Sequence, residues 1–242
     1  MARIVHIALK VEDLETATRF YEDVYGLHQT GTGYARGHVS RHMTDGALDM
    51  ALMVYDNEEV HEATLSGPGP CIHHWGIEVE DRNATEQAIR ENGGTIISAP
   101  GEGALKFRAP DGTIAEIVKA GRYKKLAESD RCRIVKLAIA VGDLEAAARF
   151  YETVFGFKPA AASGQNMRRL TDGKFEIVLM GRESADAEPA GSKLHHLGID
   201  AFDRDAFVAA ATQAGGAIVS ESKDGVRVRS PDGTLAEIAS AS

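Results

Sequence analysis

The sequence has few of the features that mark secreted, membrane-spanning or nucleic-acid-binding proteins. Its 242 residues include two cysteines, Cys71 and Cys132, whose spacing matches no metal-binding motif. We therefore expect two buried free thiols rather than a disulfide. No apolar run approaches the roughly 20 residues that cross a bilayer. The N-terminal residues enter an alternating, strand-like pattern without the hydrophobic region of a signal peptide, so we expect a cytoplasmic protein.

The charge balance excludes some classes of partner. Asp and Glu number 36 against 27 for Lys and Arg, which gives a formal net charge of −9. An acidic chain without a basic block is a poor match for nucleic acid or for an anionic membrane surface. We expect a small-molecule substrate, no nucleic-acid or membrane partner, and a monomer or a homodimer.

The chain contains a tandem repeat that organises every later inference. Residues 3–27 and 133–157 align without a gap and are identical at 15 of 25 positions. Further matches follow in the same order: Thr44-Asp45-Gly46 with Thr171-Asp172-Gly173, His73-His74 with His195-His196, and 110–117 with 231–238. We predict two related domains, residues 1–120 and 133–242, joined by a linker at residues 121–132.

Each half contains a weaker repeat of its own. The segments that begin at His6 and His74 share Val, Glu, Asp and Gly at the same offsets. Alternating apolar residues predict a strand around His6, and Asp13 is a typical N-cap for the helix that follows. Short alternating runs broken by Gly, Pro and Asp-Gly come next, as in strands and hairpins. The pattern predicts four copies of one strand–helix–strands unit.

These motifs point to a family. The order H-x-A-L-x-V-x-D-L-x-x-A-x-x-F-Y-x-x-V-x-G, a second His-led strand and P-D-G-T-x-x-E resemble the vicinal oxygen chelate superfamily. That superfamily contains glyoxalase I, the fosfomycin- and bleomycin-resistance proteins, methylmalonyl-CoA epimerase and the extradiol dioxygenases. The resemblance implies an α+β fold of four βαβββ modules in two tandem domains, whose sheets form cups around a metal. It does not fix the reaction, because this fold hosts several chemistries.

Three residues of the first half occupy the positions where the resemblance implies metal ligands. His6 and His74 each share a strand face with a small residue, and Glu116 lies in an otherwise apolar final strand. A carboxylate among apolar neighbours has to be neutralised by a proton, a cation or a metal. Two imidazoles and one carboxylate match the facial triad that binds a divalent metal with open positions. We therefore predict Fe(II) or Mn(II), with Zn, Ni or Co as alternatives, and no organic cofactor.

The second half departs from this pattern, because Lys136 stands where the first half has His6. We expect one complete site per chain. If modules pair within each half, as in extradiol dioxygenases, the ligands are the three residues of the first half. If modules exchange across the halves, as in glyoxalase-type assemblies, the ligands are His6, His196 and Glu237. The pairing within a half is favoured because it needs no crossover.

Other polar residues are candidates for acid–base roles. His38 and His42 precede a predicted strand, and the second half has Gln165 and Arg169 at these places. If the segment lines the cup, either histidine serves as acid or base, because histidine titrates near neutral pH. Tyr34 is a candidate donor to a bound oxygen.

Two further features of the first half bear on the reaction. Alignment with glyoxalase I puts Leu52 at the place of its fourth ligand, which disfavours glyoxalase-type proton transfer. The sequence signature of extradiol dioxygenases also includes a His and a Tyr shortly before the position of Glu116, and residues 101–108 contain neither. The leading hypothesis is dioxygenase-type chemistry on a substrate that chelates the metal through vicinal oxygens. The alternatives are a glyoxalase-like lyase or epimerase, and a non-catalytic protein that binds a drug or toxin.

Overall fold

A computed structural model describes residues 2–98, 104–123, 127–160, 164–181, 193–222 and 225–240. In the first half the elements are β1 (Arg3–Lys10), α1 (Leu14–Asp23), β2 (His28–Ala35), β3 (His38–Thr44), β4 (Asp49–Tyr55), α2 (His61–Thr64), β5 (Cys71–Val79), α3 (Arg82–Glu91), β6 (Thr95–Ile96), β7 (Leu105–Arg108) and β8 (Ile114–Lys119).

The second half repeats most of this series. Its elements are β9 (Cys132–Val141), α4 (Leu144–Phe155), β10 (Lys158–Pro159), β11 (Met167–Thr171), β12 (Glu176–Gly181), β13 (Leu194–Ala201), α5 (Arg204–Gln213), β14 (Ala217–Ser222), β15 (Gly225–Arg229) and β16 (Leu235–Ser240). Residues 121–131 of the predicted linker lie between β8 and β9, whereas its last residue, Cys132, begins β9. Residues 124–126 are outside the described residues.

Each half forms an eight-stranded sheet of its own. The strand orders are β2-β3-β4-β1-β5-β8-β7-β6 and β10-β11-β12-β9-β13-β16-β15-β14. A central antiparallel pair, β1 with β5 and β9 with β13, joins two βαβββ modules in each sheet. The predicted α+β fold of paired modules in two tandem domains is confirmed, and the modules pair within a half.

Aspartate N-caps begin the helix of each module. The Asp13 carboxylate accepts a hydrogen bond of 2.7 Å from the Thr16 backbone N–H. The carboxylates of Asp81, Asp143 and Asp203 accept equivalent bonds at the start of α3, α4 and α5. Because each cap satisfies a helix N–H that would otherwise lack a partner, the start of the helix is fixed one turn after the strand.

One apolar core is shared between the two halves. Trp75 of β5 packs on Tyr151 of α4 with ring centroids 5.5 Å apart, and the Tyr151 hydroxyl lies 2.9 Å from the Thr113 hydroxyl. Cys71 and Cys132 are buried free thiols, as predicted. Among the described residues, no helix has the length and apolar character needed to span a membrane.

Candidate metal centre

Strand pairing in the first sheet brings His6, His74 and Glu116 together. His6 on β1 is in register with Gly76 on β5, and Gly76 is in register with Glu116 on β8. His74 precedes Gly76 by two residues and so faces the same side. One donor atom from each of the three residues lies within 4.8 Å of the other two, and each residue is at most 3% exposed.

Gly76 provides the space in which these side chains converge. A Cβ atom there would lie 2.8 Å from the His6 Cβ and 3.3 Å from the Glu116 Oε1. The His74 Nε2 and the Glu116 Oε2 are 3.7 Å apart. Two imidazoles and a carboxylate in a buried setting fit a divalent cation, which would neutralise the carboxylate and use the nitrogen lone pairs.

The alternative ligand set is not brought together. His196 and Glu237 lie in the second sheet, where Gly198 separates Lys136 from Glu237 just as Gly76 separates His6 from Glu116. Within the ranges that the structure describes, the groups that could hold a metal ion are two, and neither contains a residue of the second half.

Asp49, which the sequence reasoning missed, holds two histidines in place. Its Oδ2 atom lies 2.7 Å from the His6 Nδ1 and 2.8 Å from the His42 Nδ1. Burial alone would raise the pKa of Asp49, but the hydrogen bonds from His42 and His6 hold the pKa below its usual value. Because the carboxylate occupies the Nδ1 of His6, the Nε2 is the nitrogen left for a metal. His6, His42 and Asp49 are also the second group that could hold an ion.

The prediction that Leu52 occupies the position of a fourth metal ligand is wrong. Leu52 is fully buried in the apolar core, on the face of β4 opposite to the candidate ligands. Strand alternation instead turns Asp49 and Ala51 toward the ligand face, and Asp49 is in register with His6. The strand therefore does supply a carboxylate to the site, at a place that the alignment with glyoxalase I did not indicate.

Tyr123, from the predicted linker, covers His6. Its ring stacks on the His6 ring with centroids 4.5 Å apart and planes 10° from parallel. Its hydroxyl donates a short hydrogen bond to the Glu116 Oε1. Burial and the negative charge of Glu116 raise the pKa of the phenol. Sequence reasoning missed this residue, although Tyr123 is the sole aromatic residue in the predicted linker.

Of the predicted acid–base residues, His42 is the one that joins the cluster. Burial would lower its pKa, but the hydrogen bond and charge of Asp49 outweigh burial and raise the pKa. His42 borders an open cleft of about 330 Å³ whose wall also includes Asp49, Arg122 and Tyr123. A small molecule in this cleft would therefore meet a histidine that readily holds a proton.

His38 and Tyr34 lie elsewhere. His38 is four residues from His42 along β3, about 13 Å at the usual strand rise. It is buried 3.7 Å from the Glu62 carboxylate, and burial lowers its pKa. Tyr34 is 65% exposed and donates a hydrogen bond to Asp56. Neither residue contacts the candidate ligands among the hydrogen bonds and ion pairs of the described residues.

A buried ion-pair network flanks Glu116. Lys106, in register with Glu116, donates to the Glu62 carboxylate, and its Nζ lies 3.9 Å from the Glu116 Oε2. Burial would raise the pKa of Glu62, but the charge and hydrogen bond of Lys106 hold it low. Arg36 and Lys106 also line a cavity of about 320 Å³. Lys106 therefore balances negative charge beside the candidate ligands.

The second half carries cations at the equivalent places. Lys136 replaces His6, Arg169 replaces His42 and Arg227 replaces Lys106. The Arg227 Nε lies 3.2 Å from the Glu237 Oε2, and the Arg169 Nε lies 2.9 Å from the Glu176 Oε2. Arginines thus pair with Glu237 and Glu176 in the second half, whereas Asp49, the first-half equivalent of Glu176, lies between two histidines.

Comparison with known proteins identifies the superfamily. Residues 3–117 and 133–238 match the Glyoxalase/Bleomycin resistance protein/Dioxygenase superfamily. The two matches cover most of the chain and coincide with its two sheets. The chain therefore belongs to this superfamily, as the resemblance implied.

Individual relatives span more than one activity. The chain is 24% identical over 217 residues to the probable chloroplastic lactoylglutathione lyase of Arabidopsis thaliana, which covers 84% of this chain and 56% of that protein. The chain thus spans about half the length of the curated relatives that it matches. It is similar in fold to the Mn(II)-bound glyoxalase of Novosphingobium aromaticivorans (TM-score 0.68, 19% identity, covering 99% and 83% of the two chains). It is equally similar to the 2,3-dioxygenase LapB of Pseudomonas sp. KL28 (TM-score 0.67, 15% identity, covering 99% and 92%).

Proposed function

We propose that this protein is a metal-dependent enzyme whose small-molecule substrate chelates a divalent metal through two neighbouring oxygens. His6, His74 and Glu116 would hold the metal. The proposal is supported above all by the convergence of these three buried side chains on one face of the first sheet. With three protein ligands, a metal keeps positions open for the substrate, and this ligand set suits Fe(II) or Mn(II).

The surrounding residues have separate roles in this proposal. Asp49 holds His6 through its Nδ1, and Tyr123 donates to the Glu116 oxygen Oε1, so two of the three ligands are oriented by neighbours. His42 borders the cleft and would exchange a proton with a substrate held there. When bound, the metal would supply a positive charge that polarises the substrate oxygens, or a centre for oxygen activation.

Dioxygenase-type chemistry is our first candidate for the reaction, because the three-ligand set leaves room for both a chelating substrate and oxygen. A glyoxalase-like lyase or epimerase is the second candidate. It is favoured by the Asp49 carboxylate and its contact with His42, which offer an acid–base pair, and by the similarity to a lactoylglutathione lyase. A divalent metal held by the same residues serves either reaction.

Metal analysis of the purified chain tests the proposal. After reconstitution with Fe(II), Mn(II) or Zn(II), we expect one metal per chain, which His6→Ala and His74→Ala abolish. His196→Ala, at the equivalent position of the second half, is the matched control and should retain the metal. Absence of metal in the folded wild-type protein, or its loss in the control, would overturn the assignment.

Turnover assays then separate the two reactions. Oxygen uptake with a panel of catechols and hydroquinones reports dioxygenase activity. Isomerisation of hemithioacetals formed from 2-oxoaldehydes and a thiol reports lyase activity without oxygen uptake. Metal-dependent uptake that His42→Gln lowers supports the first candidate, whereas isomerisation under anaerobic conditions replaces it with the second.

A further inference from the structure

His73 occupies a β-bulge next to the candidate ligand His74. His74 is in register with Ala8 and Ile72 with Leu9, so His73 is the extra residue on β5. A bulge interrupts the strict alternation of a strand and can redirect a side chain. The His73 ring thereby contacts the His74 ring, with the two Nδ1 atoms 2.8 Å apart, and His73 is 1% exposed.

The other nitrogen of His73 fixes the direction of this contact. Its Nε2 lies 2.8 Å from the backbone carbonyl oxygen of Glu62. A carbonyl oxygen only accepts, so the His73 Nε2 carries a hydrogen and donates it. The Tyr55 hydroxyl oxygen, 3.3 Å from the same nitrogen, is a further acceptor, and Tyr55 directs its own hydrogen toward the Met53 sulfur.

The proton arrangement follows from these contacts. A neutral His73 with its hydrogen on Nε2 has a lone pair on Nδ1, which accepts from the Nδ1–H of His74. His74 then has its own lone pair on Nε2, the nitrogen 3.7 Å from the Glu116 carboxylate. The opposite arrangement would set two lone pairs against each other at the Glu62 carbonyl.

We propose that His73 is a positioning residue that selects the Nδ1–H tautomer of His74 and so presents the His74 Nε2 lone pair to a divalent cation. The inference rests on the proposed metal site. It adds that the Glu62 backbone carbonyl, through its hydrogen bond with His73, determines which ring nitrogen of His74 is free to bind a metal. The partners of metal-binding histidines commonly change metal affinity by 10–100-fold when they are removed.

The second half provides an internal control. His195 also lies at a register shift, and its Nδ1 is 2.7 Å from the Nδ1 of His196. Lys136 replaces the other histidine there, so no metal is expected to depend on this pair. A substitution of His195 should therefore destabilise the fold as a substitution of His73 does, without affecting the proposed metal ligands.

The tautomers are measured directly by NMR of the metal-free wild-type protein labelled with ¹⁵N-histidine. We expect long-range ¹H–¹⁵N correlations to report Nδ1–H for His74 and Nε2–H for His73. A His74 ring protonated on Nε2 alone would overturn the inference. This measurement needs no metal, so it tests the selection of the His74 tautomer by His73 separately from the proposed metal site.

Metal affinity provides the second test. His73→Leu removes the acceptor and should weaken Mn(II) or Zn(II) binding 10–100-fold in a protein that remains folded. His73→Asn keeps an oxygen acceptor near the Nδ1 position and should restore most of the affinity, and His195→Leu should leave it unchanged. Equal affinities for the wild type and His73→Leu would overturn the inference. If wild-type protein binds no metal, the proposed function fails, and the NMR result still decides the tautomer.

Discussion

Gly76 and His6 are matched across the central strand pair, since a Cβ atom on residue 76 would lie 2.8 Å from the His6 Cβ. The second half preserves the relationship with Gly198 and Lys136, where the corresponding distance is 2.6 Å. In each sheet a glycine thus makes room for a long side chain from the next strand. In the first sheet this space also admits the Glu116 carboxylate.

Gly76→Ala should therefore displace the His6 ring from the candidate ligands. We expect metal affinity to fall at least tenfold, with a loss of about 1–3 kcal/mol in the free energy of unfolding from overpacking. Gly198→Ala is the matched control, which should destabilise the fold by a similar amount and leave metal affinity unchanged. Calorimetric titration and urea unfolding measure both quantities. An unchanged affinity in Gly76→Ala would contradict the assigned role of His6.

Asp49→Asn tests the orientation of His6 from its other side. The amide keeps the shape of the side chain but removes the charge that two histidine nitrogens share. We expect metal affinity to fall about 10–100-fold, as for other partners of metal-binding histidines. Glu176→Gln makes the same change at the equivalent position of the second half and should have no such effect. Equilibrium competition with a chromophoric chelator gives the two affinities.

The second half can be converted toward a metal site. Lys136→His restores the missing imidazole beside His196 and Glu237, and Arg227→Lys withdraws the guanidinium from the Glu237 carboxylate. We expect the double variant to bind two metals per chain, with Arg227→Lys alone binding one. Elemental analysis of the dialysed proteins counts the metals. A single metal in a folded double variant would show that further second-half residues exclude the ion.

Buried His196 should make the metal-free protein sensitive to mild acid. Burial lowers the pKa of His196 to about 3, whereas an unfolded histidine titrates near 6.5. The contribution of neutral His196 to the free energy of unfolding is therefore complete above pH 6.5. It is lost as the pH falls toward 3, because the unfolded state binds the proton first. The loss amounts to about 2 kcal/mol at pH 5. Urea unfolding gives the free energy of unfolding at pH 7.5 and at pH 5. The decrease between these pH values should be about 2 kcal/mol smaller in His196→Gln than in the wild type. Equal decreases in the two proteins would argue against a buried neutral ring.

The repeat made the fold predictable from the sequence. Because residues 3–27 recur at 133–157, the strand–helix unit could be recognised twice, and the histidines at equal offsets located the central strands. Pairing within a half could be favoured but not decided, because the same modules can exchange partners. The register of β1 on β5, which brings Gly76 between His6 and Glu116, is a long-range feature that local patterns do not encode.

The neighbours of the candidate ligands were harder to predict. Asp49 lies three residues before Leu52, and one error in strand phase exchanges the core face for the ligand face. Tyr123 comes from a polar segment that resembles a linker, and its contact with His6 depends on how the chain returns over the sheet. The position of Lys106 beside Glu62 could not be predicted from local patterns either, because the two residues are 44 apart in the sequence.

The contact between Trp75 and Tyr151 indicates a structural role for the second half that does not depend on its altered polar residues. Trp75 follows His74 on β5, so a helix of the second half supports the strand that carries a candidate ligand. A copy that has exchanged imidazoles for cations on one face of its sheet still serves as a scaffold through the other face. Sequence change in such a copy is unevenly constrained. New charges are tolerated where the sheet faces away from the core, whereas the apolar side remains tied to the chemistry of its neighbour.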